Sequence, residues 1–374
     1  MTFSASDWVE VKSKEEILAT LDKRGCLDEM PFMPEMFRYC GQRFRVYKRA
    51  HKTCDPIFTL AGRKLKNTVH LDVRCDGSAH GGCQAGCLIF WKEAWLKPAS
   101  SGTAIVYSPK KAGDAAGAGH GKGCSERDVI AQATQGGPET GPDARYMCQI
   151  TQLPKATKPL AWWNLFQYVE DYTSGNTRFV DLPLGLLYVV LGRRRGRRFP
   201  ILRKTYNKIQ EMVGGMASPH REGTLPDGTE YPVSRLNLKA GDLVRVKSHE
   251  EILATLDSRN LNRNLYFDVE LVPYCGGTYR VRSPIEKFVD EKTGKMRSLK
   301  TRAVILENVW CRSLYSTHRM FCPRSIYSWW REVWLERVEE PALKDAGEGN
   351  VVGATGAVCD PSRAPAGQAL HCSH

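Results

Sequence analysis

The sequence predicts an α+β fold, mainly β: two duplicated small half-open barrels separated by a partly helical middle region. Three observations predict it. The stretch Val11–Asp22 returns as Val246–Asp257, with only Lys14 against His249 different. Each copy then runs into short strands of alternating apolar and polar residues. Between the copies the composition shifts first to Gly, Ala, Ser and Pro, and then to aromatic and apolar segments. Repetition at a fixed offset signals repeated architecture. The offset also holds at Tyr39-Cys40-Gly41 against Tyr274-Cys275-Gly276, and at Phe44-Arg45-Val46 against Tyr279-Arg280-Val281. The expected organisation is a first module over 5–98 and a Gly/Ala-rich linker or loop over 99–145. A partly helical segment with an arginine-rich run follows over 146–239, then a second module over 240–338 and a disordered tail over 339–374.

Within the first copy, Trp8-Val9-Glu10-Val11 reads as a strand. Ser13 and Glu16 then form the Ser-x-x-Glu pattern of a capping box, which starts a short helix with Ile17, Leu18 and Leu21 on one face. Ser248 and Glu251, with Ile252, Leu253 and Leu256, repeat the arrangement. Strands are expected at Gly41–Tyr47 and Thr68–Val73. In the second copy the corresponding strands flank Asp290–Lys295, a hairpin signal. The segment Phe90–Leu96, matched by Trp329–Leu335, places two tryptophans four apart, as on one helix face. A base-stacking platform and a plain barrel seal are the two readings of that pair.

Gly241-Asp242-x-Val244-x-Val246 resembles the entry strand of SH3-like barrels, including those that carry the ribosomal KOW motif. The resemblance implies two tandem SH3-like modules. The glycine that closes the KOW pattern is missing, so the ribosomal role does not carry over. The whole chain also looks like an uncharacterised bacterial protein family, from which no catalytic residue carries over.

A formal net charge of +13 and a pI near 9.1 favour an anionic partner, such as nucleic acid or another anionic polymer. The N-terminus has no basic segment followed by an apolar one, so a cytoplasmic location is expected. No stretch is apolar for long enough to span a membrane. The longest, Leu182–Leu191, is interrupted by Pro183 and Gly185. The run Gly192–Arg198 holds Arg193, Arg194, Arg195, Arg197 and Arg198, a candidate anion-binding site. Peripheral contact with an anionic membrane surface is its rival reading, and a solvated turn is the plain one.

The chemistry concentrates in Cys75–Cys87. Cys75, His80, Cys83 and Cys87 fall in one short stretch, and Gly77, Gly81, Gly82 and Gly86 let its backbone wrap tightly. Thiolates with an imidazole suit zinc, whereas ligation by cysteines alone suits an iron–sulfur cluster. Cys40, and His51 with Cys54, are further candidate ligands from the same module. Cys275, Cys311, His318 and Cys322 are the second-copy counterparts. Cys87 has none, so either each copy carries a Cys3His site or only the first is a metal site. Cys124 and Cys148 are more distant candidates to complete it. The competing readings are small buried side chains and a Cys83–His80 nucleophile–base pair.

No nucleotide-binding glycine loop, zincin motif or nucleophile elbow is present, which leaves enzymatic function without direct support. The sequence therefore points to a non-catalytic, zinc-binding tandem-repeat protein that engages an anionic partner. The alternative is a metal- or iron–sulfur-dependent enzyme using Cys75, Cys83 and Cys87.

Overall fold

In a computed structural model the chain is mixed α+β, with more strand than helix and a half-barrel sheet. The structure describes residues 2–55, 59, 61–100, 123–135, 144–189, 200–212 and 216–339. The arginine run 193–198 and the tail from 340 onward lie outside the described residues. The chain divides into two compact units. The first comprises Met1–Gly185, Glu286–Leu299 and Arg312–Ile326; the second comprises Leu186–Ile285, Lys300–Cys311 and Tyr327–His374.

The first unit opens with β1 (Trp8–Val11) and α1 (Lys14–Leu18), followed by the two-residue strands β2 (Cys26–Leu27) and β3 (Met30–Pro31). Then come β4 (Arg43–Arg49), β5 (Lys52–Asp55), β6 (Ala61–Lys64), β7 (Thr68–Arg74), β8 (Leu88–Lys92) and β9 (Leu96–Pro98). Five of them form one sheet in the order β8-β7-β4-β1-β9. Strand β1 pairs antiparallel with β4 and β9, with Val9 opposite Phe44 and Val11 opposite Leu96. The buried positions on β1 are Val9 and Val11, as its alternation requires. The capping box of α1 forms as expected: Ser13 N donates to Glu16 Oε2 at 2.9 Å, and Glu16 N donates to Ser13 Oγ at 3.2 Å.

Beyond β9 the unit continues with α2 (Glu126–Ala133), β10 (Thr134–Gln135), β11 (Arg145–Tyr146) and α3 (Gln149–Ala156). It ends its main run with β12 (Lys158–Leu160), α4 (Phe166–Thr173) and the start of α5 (Asp181–Leu187). Gly175, at φ +73°, takes the left-handed conformation that closes α4.

The second unit contains β13 (Leu243–Val246), the short helix His249–Leu253, β14 (Leu261–Asn262) and β15 (Leu265–Tyr266). Strands β16 (Thr278–Val289), β17 (Met296–Trp310), β18 (Tyr327–Arg331) and β19 (Leu335–Arg337) complete a sheet of order β18-β17-β16-β13-β19. Val244 faces Tyr279 and Val246 faces Leu335. The distal ends of β16 and β17 and the turn between them, 286–299, belong to the first unit. That turn is held by Asp290 Oδ1, which accepts from the Thr293 amide at 2.8 Å, and by Gly294 at φ +70°.

The tryptophan pairs do not sit on a helix. Trp91 lies on β8 and Trp95 ends the 3-10 turn Glu93–Trp95; Trp330 and Trp334 take the same places on β18 and the turn Glu332–Trp334. All four have no exposed surface. Trp95 Nε1 donates to Thr20 Oγ1 at 3.1 Å, and Trp334 Nε1 donates to Thr255 Oγ1 at 2.9 Å. Phe32 packs edge-on against Trp91 and Trp95, and Phe267 does so against Trp330 and Trp334. Rings enclosed in this way seal the two cores and offer no face for stacking a base.

His70 on β7 is fully buried; its Nδ1 donates to the Ile89 carbonyl at 2.9 Å and its ring lies 4.4 Å from that of Phe90. Burial drives its pKa down from 6.5 to about 3. Below pH 6.5 the unfolded chain takes up a proton here that the folded chain refuses until about pH 3. The contribution is therefore complete above 6.5 and is lost as the pH falls, at up to about 1.4 kcal/mol per pH unit. Urea-unfolding midpoints between pH 6.5 and 4 are expected to fall more steeply for the natural protein than for His70→Gln. Equal slopes would remove this account.

Candidate metal centre

The candidate site is a loop between two paired strands. Strands β7 and β8 are antiparallel neighbours, and the amide of Cys75, just past the end of β7, donates to the Cys87 carbonyl at 2.8 Å. The chain between must therefore leave and return at one place. It does so through turns in which His80 N and Gly82 N both donate to the Gly77 carbonyl at 2.9 Å, and Cys83 N donates to the His80 carbonyl at 3.1 Å. Gly77 has φ +70°, and a Cβ there would collide with the backbone of Cys83. Glycine is required at this position by both conformation and space.

This wrapping directs Cys75, His80, Cys83 and Cys87 to one small cavity of about 30 Å³, which Cys148 also lines. Cys148 arrives from the start of α3, and its neighbour Gln149 fixes that helix to β8. Gln149 Oε1 accepts from the Phe90 amide at 2.8 Å, and Nε2 donates to the Phe90 carbonyl at 2.8 Å and the Pro31 carbonyl at 3.2 Å. Opposite stands Glu35, on the 3-10 turn Pro34–Tyr39. Cys75 Sγ donates to Glu35 Oε1 at 3.0 Å, and His80 Nδ1 is 3.3 Å from the same oxygen. His80 Nε2 donates to the Met147 carbonyl at 3.3 Å. One ligand atom from each of Glu35, Cys75 and His80 lies within 4.8 Å of the others.

The acid of this group is only partly satisfied: Glu35 Oε2 is buried and has no hydrogen-bond partner, while Oε1 faces Cys75 and His80. Burial pushes the thiol of Cys75 well above the usual thiol range, with the Glu35 carboxylate adding to the effect. Burial raises Cys87 strongly as well, and holds Cys148 at about 11. Burial also acts to raise Glu35, but hydrogen bonding and charge from His80 outweigh it and leave its carboxyl below the ordinary value. An imidazole and four sulfurs line the cavity, and the Glu35 carboxylate accepts from one of those thiols; such a donor set is able to hold a divalent ion.

The other sequence-selected residues lie elsewhere. Cys40 ends the turn Pro34–Tyr39, half-buried; burial raises its pKa to about 11, and its charged neighbours are Lys14, Glu15 and Glu126. It does not line the cavity. His51 Nε2 is 3.2 Å from both the Gln167 carbonyl and Asp171 Oδ1. Cys275 and Cys311 belong to the second unit, where Cys275 packs against the core around Trp330 and Trp334. His318 and Cys322 belong to the first unit, with His318 exposed beside Trp162. Arg193, Arg194, Arg195, Arg197 and Arg198 fall outside the described residues.

Glu35 was not among the residues the cysteine spacing selected. Its signal was an acid amid the apolar residues Met33, Pro34 and Met36, repeated at the same offset by Glu270, which is 1% exposed. No family model, curated protein or solved structure matches this chain.

Replacing Gly77 by Ala is expected to destabilise the first unit by about 1–3 kcal/mol. Gly41→Ala is expected to cost less, because a Cβ at Gly41 meets no atom within 4 Å despite its φ of +74°. Thermal melts of the two variants check the order, and an equal or smaller loss at Gly77 would contradict the close-approach argument.

Proposed function

We propose that this chain is a non-catalytic metal-binding protein built from tandem SH3-like modules, whose first module holds one zinc ion at the Cys75 cavity. Cys75 and His80 are the central ligands, since they belong both to the Glu35 group and to the cavity lining. Cys83, Cys87, Cys148 and Glu35 are the candidates for the remaining positions of a tetrahedral site. The observation that carries the reading is the convergence of four thiols and one imidazole, drawn from the β7–β8 loop and the residue that caps α3, on one water-sized space. A space of about 30 Å³ suits a single ion and is small for an iron–sulfur cluster or an organic substrate. The Met147 carbonyl, which accepts from His80 Nε2, would orient the imidazole and leave Nδ1 as the ligand atom.

The strongly basic chain carries the second part of the proposal, an anionic polymer such as nucleic acid as partner. No helix is long and apolar enough to cross a membrane among the described residues.

Elemental analysis of purified protein is expected to find about one zinc per chain, lost in Cys75→Ser/Cys83→Ser together with the stability of the first unit. If the double variant keeps its melting temperature and the natural protein takes up no zinc, the thiols return to plain buried packing. Binding to duplex DNA or RNA is expected to weaken about tenfold or more for each few-fold rise in salt. Replacing Arg193, Arg194 and Arg195 by Ser is expected to flatten that dependence; unchanged binding would exclude the run as the contact surface.

A further inference from the structure

A second pair of thiols is buried in the first unit, apart from the cavity lining. Cys54 is on β5, and Cys322 follows the 3-10 turn Thr317–Arg319; they are 1% and 3% exposed. Their side chains are hydrogen-bonded to each other. At the repeat offset Cys54 is matched by Val289 and not by a cysteine, and its partner comes instead from the second copy's own loop.

The segment Met320–Arg324 is anchored to this strand by two buried cations. Lys52 Nζ donates to the Met320 carbonyl at 2.9 Å and to Asp171 Oδ2 at 2.5 Å. Arg324 Nη1 donates to the Cys54 carbonyl at 3.2 Å, and Nη2 donates to Glu291 Oε1 at 2.7 Å. The segment that carries Cys322 is thus fixed on both sides to the strand that carries Cys54.

The surroundings also favour a thiolate. The hydrogen bond with Cys322 lowers the Cys54 pKa most, burial opposes it, and Arg324 and Arg319 lower it further. On either side of Cys322, Phe321 and Ser325 take left-handed backbone angles, at φ +57° and +43°. Such angles are strained for residues with a side chain.

We propose that Cys54 and Cys322 are a peroxide-reactive dithiol, oxidised to a disulfide that staples the 320–324 segment to β5. The Cys54 thiolate attacks one oxygen of hydrogen peroxide and the O–O bond breaks, leaving a sulfenic acid on Cys54. The departing hydroxide takes the proton of the Cys322 thiol and becomes water. The Cys322 sulfur then attacks the Cys54 sulfur, forming the S–S bond and expelling hydroxide, which takes up the proton first lost by Cys54. Two thiols give up two electrons and two protons, and one peroxide becomes two waters. Peroxide is little larger than water, so it needs only a small opening to arrive.

Trypsin releases Thr53–Arg63 and Met320–Arg324, each with a single cysteine. The full chain would be titrated with hydrogen peroxide, alkylated under denaturing conditions, and digested without reductant for mass spectrometry. The expected product is these two peptides joined, two hydrogens lighter than their sum, and separated again by dithiothreitol. In Cys322→Ser, dimedone is expected to label Cys54, since the sulfenic acid has lost its resolving partner. The proposal is overturned if both cysteines remain alkylated after a tenfold excess of peroxide, or if either is joined to a different thiol. Because the mapping uses the natural chain, a variant that fails to fold does not affect its outcome.

Discussion

The backbone bond from Cys75 to Cys87 is the constraint on which the candidate site depends. Two antiparallel strands have to be joined, and this bond brings the ends of their connection together. A loop pinched at its base and turned by glycines folds back on itself, so that parts of it separated in sequence lie close together. Its sulfurs and imidazole are therefore brought together by closure itself. The cost is a set of desolvated polar atoms, of which Glu35 Oε2 has no hydrogen-bond partner. A cation at that point would answer the desolvation of the acid and the thiols at once.

The second copy contributes to the same unit. Gln84, within the loop, accepts at Oε1 from the Glu286 and Lys287 amides at 2.7 and 2.9 Å, and its own amide donates to the Lys287 carbonyl at 3.1 Å. The Val289 amide lies 3.3 Å from Cys83 Sγ, and the Tyr146 amide donates to the Gly294 carbonyl at 2.8 Å. The distal end of the β16–β17 hairpin thus braces the loop from outside. The segment Arg312–Ile326 brings Cys322 and Arg324 to β5 in the same unit. The two copies have diverged where they meet this chemistry. The first keeps four glycines in its cysteine loop, whereas the corresponding part of the second carries Arg319, Arg324 and aromatic residues.

Helix α4 shows a different physical compromise. Its buried residues are Gln167 and Asp171, while Leu165, Phe166, Val169 and Tyr172 are exposed. The polar face turns inward because Lys52 requires Asp171: an ammonium with 3% of its side chain exposed is tolerable only with a carboxylate at its side. Apolar periodicity alone assigns this helix the opposite orientation, since it takes no account of a charge waiting in the interior.

Local and periodic features were legible in the residue order. The repeat, the capping boxes at Ser13 and Ser248, the alternation in β1 and β13 and the hairpin at Asp290–Lys295 each depend on neighbours within a few positions, or on identity between copies. The glycine-spaced cysteine loop was legible for the same reason. The tertiary structure alone decided which donors meet. Glu35 and Cys148 reach the loop from residues far away in sequence, and Cys54 finds Cys322 in the other copy. Cys40 is drawn away to the end of a 3-10 turn, and the tryptophans occupy a strand and its corner instead of a helix face. Spacing reports only what the backbone brings together over one turn or one strand. Contacts between distant segments are set by the packing of whole elements, and no local pattern encodes them.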